Sequence, residues 1–266
     1  MAAFGKKKKA SEFPDVIPVS EAIRKGDIFT KLTCLIMGAG NLARKQIIQG
    51  LLFLTGELAY ILYMVFYGAK ALQNFVTLGT ETQKKVFNEA TQVYEYATGD
   101  NSQLCLLYGV VTFFVTIGFI LLWRAAIRSS YIAQKAQEAG KKPITFGQIL
   151  KDLKDNRMYQ LFLLFPFLGI ILFTVMPLVF MILMAFTNYD RDHLPPGKLF
   201  DWVGFQNFAR VLNAGGALGE TFWRVLGWTI IWAIFATFLN YIFGIILAII
   251  INRDGTKFKA FWRFIF

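Results

Sequence analysis

"YQLFLLFPFLGIILFTVMPLVFMILMAF", residues 159–186, contains no charged side chain. As a helix rising 1.5 Å per residue it would be about 42 Å long, more than the roughly 30 Å of a bilayer's hydrocarbon core. Helices in soluble cores are shorter and keep a polar stripe. The segment therefore reads as a membrane-spanning helix. Pro166 and Pro177 each remove a backbone hydrogen bond, which predicts a tilt, a kink or ends that lie in the interface.

Three further runs pass the same test: Gln46 to Tyr67, Leu104 to Trp123, and Leu226 to Ile251. Not one of the 28 Lys and Arg residues falls inside the four spans, where each would cost roughly 2.5 to 3.5 kcal/mol. The 266-residue chain is 56% hydrophobic and 17% aromatic, too apolar for an ordinary soluble domain. Its expected fold class is all-α integral membrane, with four transmembrane helices. The net charge of +11 does not form one basic face among polar residues, so no nucleic-acid partner is expected.

The basic residues instead cluster at the ends of the apolar runs and give the chain a direction. Residues 1–45, 124–158 and 252–266 hold 9, 8 and 4 of them, while residues 68–103 and 187–225 hold 3 and 4. Cytoplasmic segments carry the Lys/Arg excess, so the N-terminus is expected in the cytoplasm, with residues 68–103 and 187–225 outside. Residues 1–45 lack the short apolar core and cleavage site of a secretory signal. The run Lys6 to Lys9 reads as a positive-inside tail that could touch anionic lipid.

Three segments follow from this layout: a cytoplasmic N-terminal stretch, 1–45; a transmembrane hairpin with its cytoplasmic linker, 46–158; and a second helical pair with the external loop 187–225, in 159–266. In the first external loop "TQKKVFNEATQVYEYA", residues 82–97, reads as a short amphipathic helix, and "TGDNS" after it as turn chemistry. In the linker, "SSYIAQKAQEAGKK" is helical until Gly140 and Pro143 stop it, and "TFGQILKDLKDN" is a basic interfacial helix. In the second external loop "VGFQNFARVL" puts Phe205, Phe208, Val211 and Leu212 on one helical side, and Gly215 and Gly216 end it.

Few residues offer chemistry. Glu57 is the one acid inside a span; without a charged partner in any span it reads as a protonated or hydrogen-bonded helix contact rather than a proton relay. Ala236, Asn240, Gly244 and Ala248 recur every four residues and share a helical face. Small residues with one amide suit interhelical packing in lipid, and Asn240 is also the chain's best candidate for lining a solute pathway. "GAGNLA", residues 38–43, has the shape of a dinucleotide fingerprint without its βαβ unit or downstream acid. Cys34 and Cys105 match no metal or redox spacing, and His193 beside Asp190 and Asp192 is too little for a metal site. No phosphate loop and no combination of nucleophile, base and orienting group occurs, so neither a cofactor in this chain nor an enzyme is expected.

Against this background a family likeness stands out. An apolar segment with spaced prolines ending "AFTNYD", then "FDWVGFQNFARVL", then "FWRVLGWTIIW", resembles the start of the permease core of bacterial binding-protein-dependent carbohydrate ABC transporters. It is most similar to their larger maltose/maltodextrin permease subunits, the MalF type. Trp228-Thr229, where many sugar permeases carry Asn-Thr, resembles the maltose branch. "KGDIFTKL", "GNLARKQIIQGLLFL" and "TGDNSQLCLLYGV" are also similar to the shorter maltodextrin-type permeases, so the likeness covers essentially the whole chain.

The resemblance implies the N-terminal part of a MetI-like ABC permease fold, preceded by an accessory hairpin. It also implies a bacterial cytoplasmic-membrane location and a set of partners: a sister permease subunit, a dimer of ATPases that binds the ATP, an extracellular solute-binding protein docking on the outer loops, and an oligosaccharide substrate. In the family the sugar contacts and the cytoplasmic coupling loop lie beyond the equivalent of Phe266. "FKAFWRFIF" at the end resembles the entry to a further helix, so the chain is expected to be a C-terminally truncated permease.

Overall fold

A computed structural model describes residues 17–89, 92–213 and 215–265. The basic run Lys6 to Lys9 lies outside them. Four helices are long and apolar enough to cross a membrane: Ile47–Thr77, Ser102–Glu138, Met158–Met184 and Ala217–Asn252. Each contains one of the four runs read from sequence, apart from residues at their ends. The chain divides after Trp202 into two compact units.

In the first unit three short helices, α1 (Val19–Lys25), α2 (Ile28–Leu32) and α3 (Ala39–Ala43), precede the first membrane helix. That helix is α4 (Ile47–Tyr63), a π-helical turn (Met64–Gly68) and α5 (Ala69–Thr77). It therefore runs ten residues past the apolar stretch, carrying Lys70, Gln73 and Asn74 on its last turns. The second membrane helix, α6 (Ser102–Glu138), is longer still, because the linker segment "SSYIAQKAQE" simply continues it. Asn101 starts α6 by accepting the Gln103 and Leu104 amides, and Gly140, at φ +68°, takes the left-handed turn after its end.

The two helices run antiparallel, and their contacts climb in steps of one turn. Tyr60 pairs with Thr116 at 3.1 Å and Tyr63 with Thr112 at 2.8 Å, hydroxyl to hydroxyl, and the Tyr60 ring stacks on Phe119. In lipid, where apolar contact gives no net drive, such hydrogen bonds and close packing hold helices together. Gly109 supplies the closest approach. A Cβ there would run into the ring of Phe75.

Between the two helices the expected amphipathic helix is instead a β-hairpin, β1 (Lys85–Asn88) and β2 (Val93–Tyr96). Its register puts Lys85, Phe87, Tyr94 and Tyr96 on one face. Phe87 meets Tyr94 edge-on and Lys85 sits 5.3 Å over the Tyr96 ring. The residue types explain the outcome: β-branched and aromatic side chains favour the pleated state, and strands of four residues are too short to announce their period.

After α6, the linker helix α7 (Phe146–Asp155) opens with a capping box, Thr145 and Gln148 each satisfying the other's backbone amide. The third membrane helix follows as α8 (Met158–Ile170), a second π-helical turn (Ile171–Val175) and α9 (Met176–Met184). Pro177 sits in the first turn of α9, directly after that π turn. Its missing N–H and bulky ring cannot continue the ladder to Phe173, and widening by one residue re-routes the carbonyls. Pro166 lies within α8.

The second unit holds α10 (Gln206–Leu212), the expected amphipathic piece, then the fourth membrane helix α11 (Ala217–Asn252) and α12 (Lys259–Ile265). Gly216 precedes α11 in an extended conformation.

Gly109→Val should cost about 1 to 3 kcal/mol through overpacking against Phe75. Phe75→Ala in the same chain should return part of that loss. Thermal unfolding of the four proteins in one detergent checks it; additive losses would show that the two residues do not share the space.

Candidate functional site

Polar side chains gather at the two ends of the hairpin, and the quoted family-like motifs supply most of them. At the amino-terminal end Arg44, from "GNLARKQIIQG", reaches Asp27, from "KGDIFTKL". Its Nη2 donates to both Asp27 oxygens at 2.6 Å and its Nη1 to the Gly40 carbonyl, the Ser130 carbonyl and the Ser130 hydroxyl. The Arg44 side chain is 2% exposed. Thr30, Thr33 and Gln134 complete the knot: Gln134 accepts from the Thr30 hydroxyl and the Asp27 amide, and Thr33 from the Gly40 amide.

Local sequence explains the convergence. Asp27 follows Gly26 and caps α2 through the Thr30 amide, and its second role as Arg44's partner comes free with that position. Gly40 must be glycine, because a Cβ would strike Ser130 and Thr33. Around the knot, Ala22, Ile127 and Tyr131 form a small buried core, and Trp123 donates to the Cys34 carbonyl. Burial pushes the Cys34 thiol up, which keeps it a thiol.

Glu57 now has a partner. One turn from Tyr60, it accepts the Met37 backbone amide at 2.8 Å, tying the first span to the short helices before it. Besides Gly40, "GAGNLA" needs Gly38, at φ +85°, whose missing side chain lets Gly50 of α4 approach.

The hairpin end is clasped differently. Leu78, Leu106 and Phe200 are wholly buried, with Phe75, Phe180, Leu183, Met184 and Trp202 against them. Burying a side chain such as Phe200 is worth roughly 1.5 to 3 kcal/mol. Trp202 donates to the Phe75 and Val76 carbonyls, which α5 leaves open at its end. Asn188 of "AFTNYD" and Asp201 of "FDW" exchange hydrogen bonds through the Asn188 side chain and both backbones, and Thr187 bridges to Trp202. Ser102 of "TGDNSQL" accepts the Phe200 amide, while Asp100 accepts those of Thr80 and Glu81, which hold its carboxyl below the usual range. His193 bonds Asp190 at 2.7 Å on the exposed loop between.

The sequence-based pathway candidate lies elsewhere. On α11, Asn240, Gly244 and Ala248 are exposed and Ala236 is half-buried. A Cβ on Gly244 would find open space. Within its unit α11 packs with α10 and α12. Asp27, Arg44, Thr30, Ser130 and Gln134 were missed as a constellation, although the Asp27 cap before an apolar turn was there to be read.

Partial burial works against the Asp27 charge, but the Thr30 amide and the Arg44 guanidinium outweigh it and hold the carboxyl below its ordinary 3.8. A lowered carboxyl pKa gives stability that is present above the ordinary value and lost as pH falls through the lowered one. Asp27→Asn should cost about 1 to 3 kcal/mol at neutral pH, because Arg44 stays buried without its counter-charge while solvent screens the 38% exposed Asp27. Melting curves from pH 7 down to acid should show the gap between wild type and variant closing only below the ordinary aspartate range.

Compared with known proteins, the chain is 32% identical over 236 residues, 88% of its length, to the maltodextrin transport system permease protein MdxF of Bacillus subtilis. It is 30% identical over 236 residues to the maltodextrin transport system permease protein MalC of Streptococcus pneumoniae. Over 245 residues it is 32% identical to the galactooligosaccharides transport system permease protein GanP of Bacillus subtilis. The chain spans about half the length of these curated relatives, 51% to 52%. No family profile and no solved structure matches it. With four helices long and apolar enough to cross a membrane and likeness along 88% of its length, the chain is similar to permeases of oligosaccharide transport systems.

Proposed function

We propose that the chain is part of a membrane permease subunit of an ATP-driven sugar importer, which forms with a sister permease the path for maltodextrin-like oligosaccharides. The observation that carries this reading is the identity of 30% to 32% with three oligosaccharide permeases, at even coverage of the chain. ATP is bound and hydrolysed by a pair of partner ATPases, and an extracellular solute-binding protein delivers the sugar. The distribution of Lys and Arg supports a cytoplasmic N-terminus, so the Asp27–Arg44 knot faces the cytoplasm and the β-hairpin and the Trp202 clasp face outward.

The same reading gives the α11 stripe a use. Ala236, Asn240, Gly244 and Ala248 meet the sister permease, small residues allowing backbones to approach and the Asn240 amide bonding across. Residues 159–266 then begin the permease core, and residues 46–158 are the accessory hairpin with its linker.

Three experiments test this reading. Reporter fusions at Lys84, Ala136 and Gly197 should read outside, inside and outside; a cytoplasmic Gly197 would refute the arrangement. Gly244→Ile should lower co-purification of the sister permease several-fold while insertion and abundance stay unchanged. Unchanged capture would remove the stripe from the interface. Uptake of labelled maltodextrin by cells with and without the intact gene tests transport itself; equal uptake would favour a purely structural subunit.

A further inference from the structure

The first turn of α4 opens onto a cavity of about 750 Å³ between the start of the first span and the segment that leads into α7. Its walls include Lys45, Lys142, Gln49, Ile47, Ile48 and Phe146. The wall contains no acid, and among the described residues neither lysine is in an ion pair, whereas Arg44, also at the wall, is held by Asp27. Gln46 precedes α4 without capping it by its side chain, and Gly50 is the first α4 residue whose amide finds a carbonyl, that of Gln46. Among the described residues the Ile47, Ile48 and Gln49 amides find no protein acceptor. Open amides with two lysines make an anion site.

A second feature narrows the ligand. Gln49 is 5% exposed, and its Oε1 has no hydrogen-bond partner, although its Nε2 donates to the Ile144 carbonyl at 3.3 Å. A buried amide oxygen left unpaired is costly, so this site also asks for a donor. An anion without a hydroxyl, such as sulfate or a simple phosphodiester, satisfies the amides and lysines but not Gln49. Position adds a third constraint. Gln46 to Ile48 mark where the chain enters the membrane, and Ile47 and Ile48 are 59% and 57% exposed, as side chains that meet acyl chains are.

We propose that this cavity binds the headgroup of an anionic phospholipid whose phosphodiester carries hydroxyl donors, as phosphatidylglycerol does. The phosphate sits at the α4 N-terminus between Lys45 and Lys142, a headgroup hydroxyl donates to Gln49 Oε1, and the acyl chains leave along Ile47 and Ile48. Basic pockets at the membrane surface recognise lipid headgroups in this way. The lipid would fix the start of the first span against the linker, independently of what the protein transports.

Native mass spectrometry of the full chain in detergent tests the site without any variant. Phosphatidylglycerol should be retained about tenfold more than phosphatidylcholine of the same chains, and several-fold more than phosphatidylmethanol, which has the charge but no hydroxyl. The pair Lys45→Gln, Lys142→Gln should erase the first preference, and Gln49→Leu only the second. Lys151→Gln with Lys154→Gln, on α7, should change neither. Equal retention of phosphatidylglycerol and phosphatidylcholine by the wild type would overturn the proposal, as would equal losses in the α7 pair. Displacement of the lipid by millimolar glycerol phosphate would assign the site to a soluble anion instead.

Discussion

In hydrocarbon no water is available to satisfy a stray N–H or C=O, so each spanning segment must close its own backbone hydrogen bonds. The organisation of this chain follows from that constraint. Its four long helices are nearly featureless inside the membrane, and polar chemistry is pushed to where they begin and end. The exceptions obey the same rule. Two tyrosine–threonine pairs bond across α4 and α6, Glu57 takes the Met37 amide, and the π turns at Met64–Gly68 and Ile171–Val175 keep carbonyls occupied where the regular ladder fails.

At the ends, the family-like motifs turn out to be pieces of two clasps. "KGDIFTKL" and "GNLARKQIIQG" are separated in sequence but meet at Asp27 and Arg44, and α6 contributes Ser130 and Gln134. "TGDNSQL", "AFTNYD" and "FDW" likewise meet at the other end through Ser102, Asn188, Asp201 and Trp202. These residues fix the helix pair at both ends, and a buried guanidinium tolerates no substitute lacking its fork of donors.

What could be read from sequence divides along the same physical line. The spans were legible because a run of about 20 apolar residues has few other uses. Helix ends were less so: α5 continues through Lys70, Gln73 and Asn74, since polarity does not stop a helix whose caps lie further on. The hairpin was misread because Val86, Phe87, Val93 and Tyr94 sit as adjacent pairs that fit either period, and only their β-branched and aromatic character argued for strands. Glu57 reads from sequence as a protonated or hydrogen-bonded helix contact; the group that donates to it is a backbone amide, which no sequence pattern marks. The Asp27–Arg44 pair was invisible for a similar reason: a salt bridge across 17 residues depends on where α2 and α3 fold back, not on spacing.

Asn240 shows the complementary case, a residue legible in pattern yet without a role inside its own unit. An Asn on a small-residue stripe at mid-span is expensive to leave facing lipid, because its amide has four hydrogen-bonding sites and hydrocarbon offers none. The knot at Arg44 shows what a polar group placed out of water needs, a partner for each donor it turns inward. By the same physics the open stripe is a request for a partner. On α11, the surface most in need of covering is the one that carries Asn240.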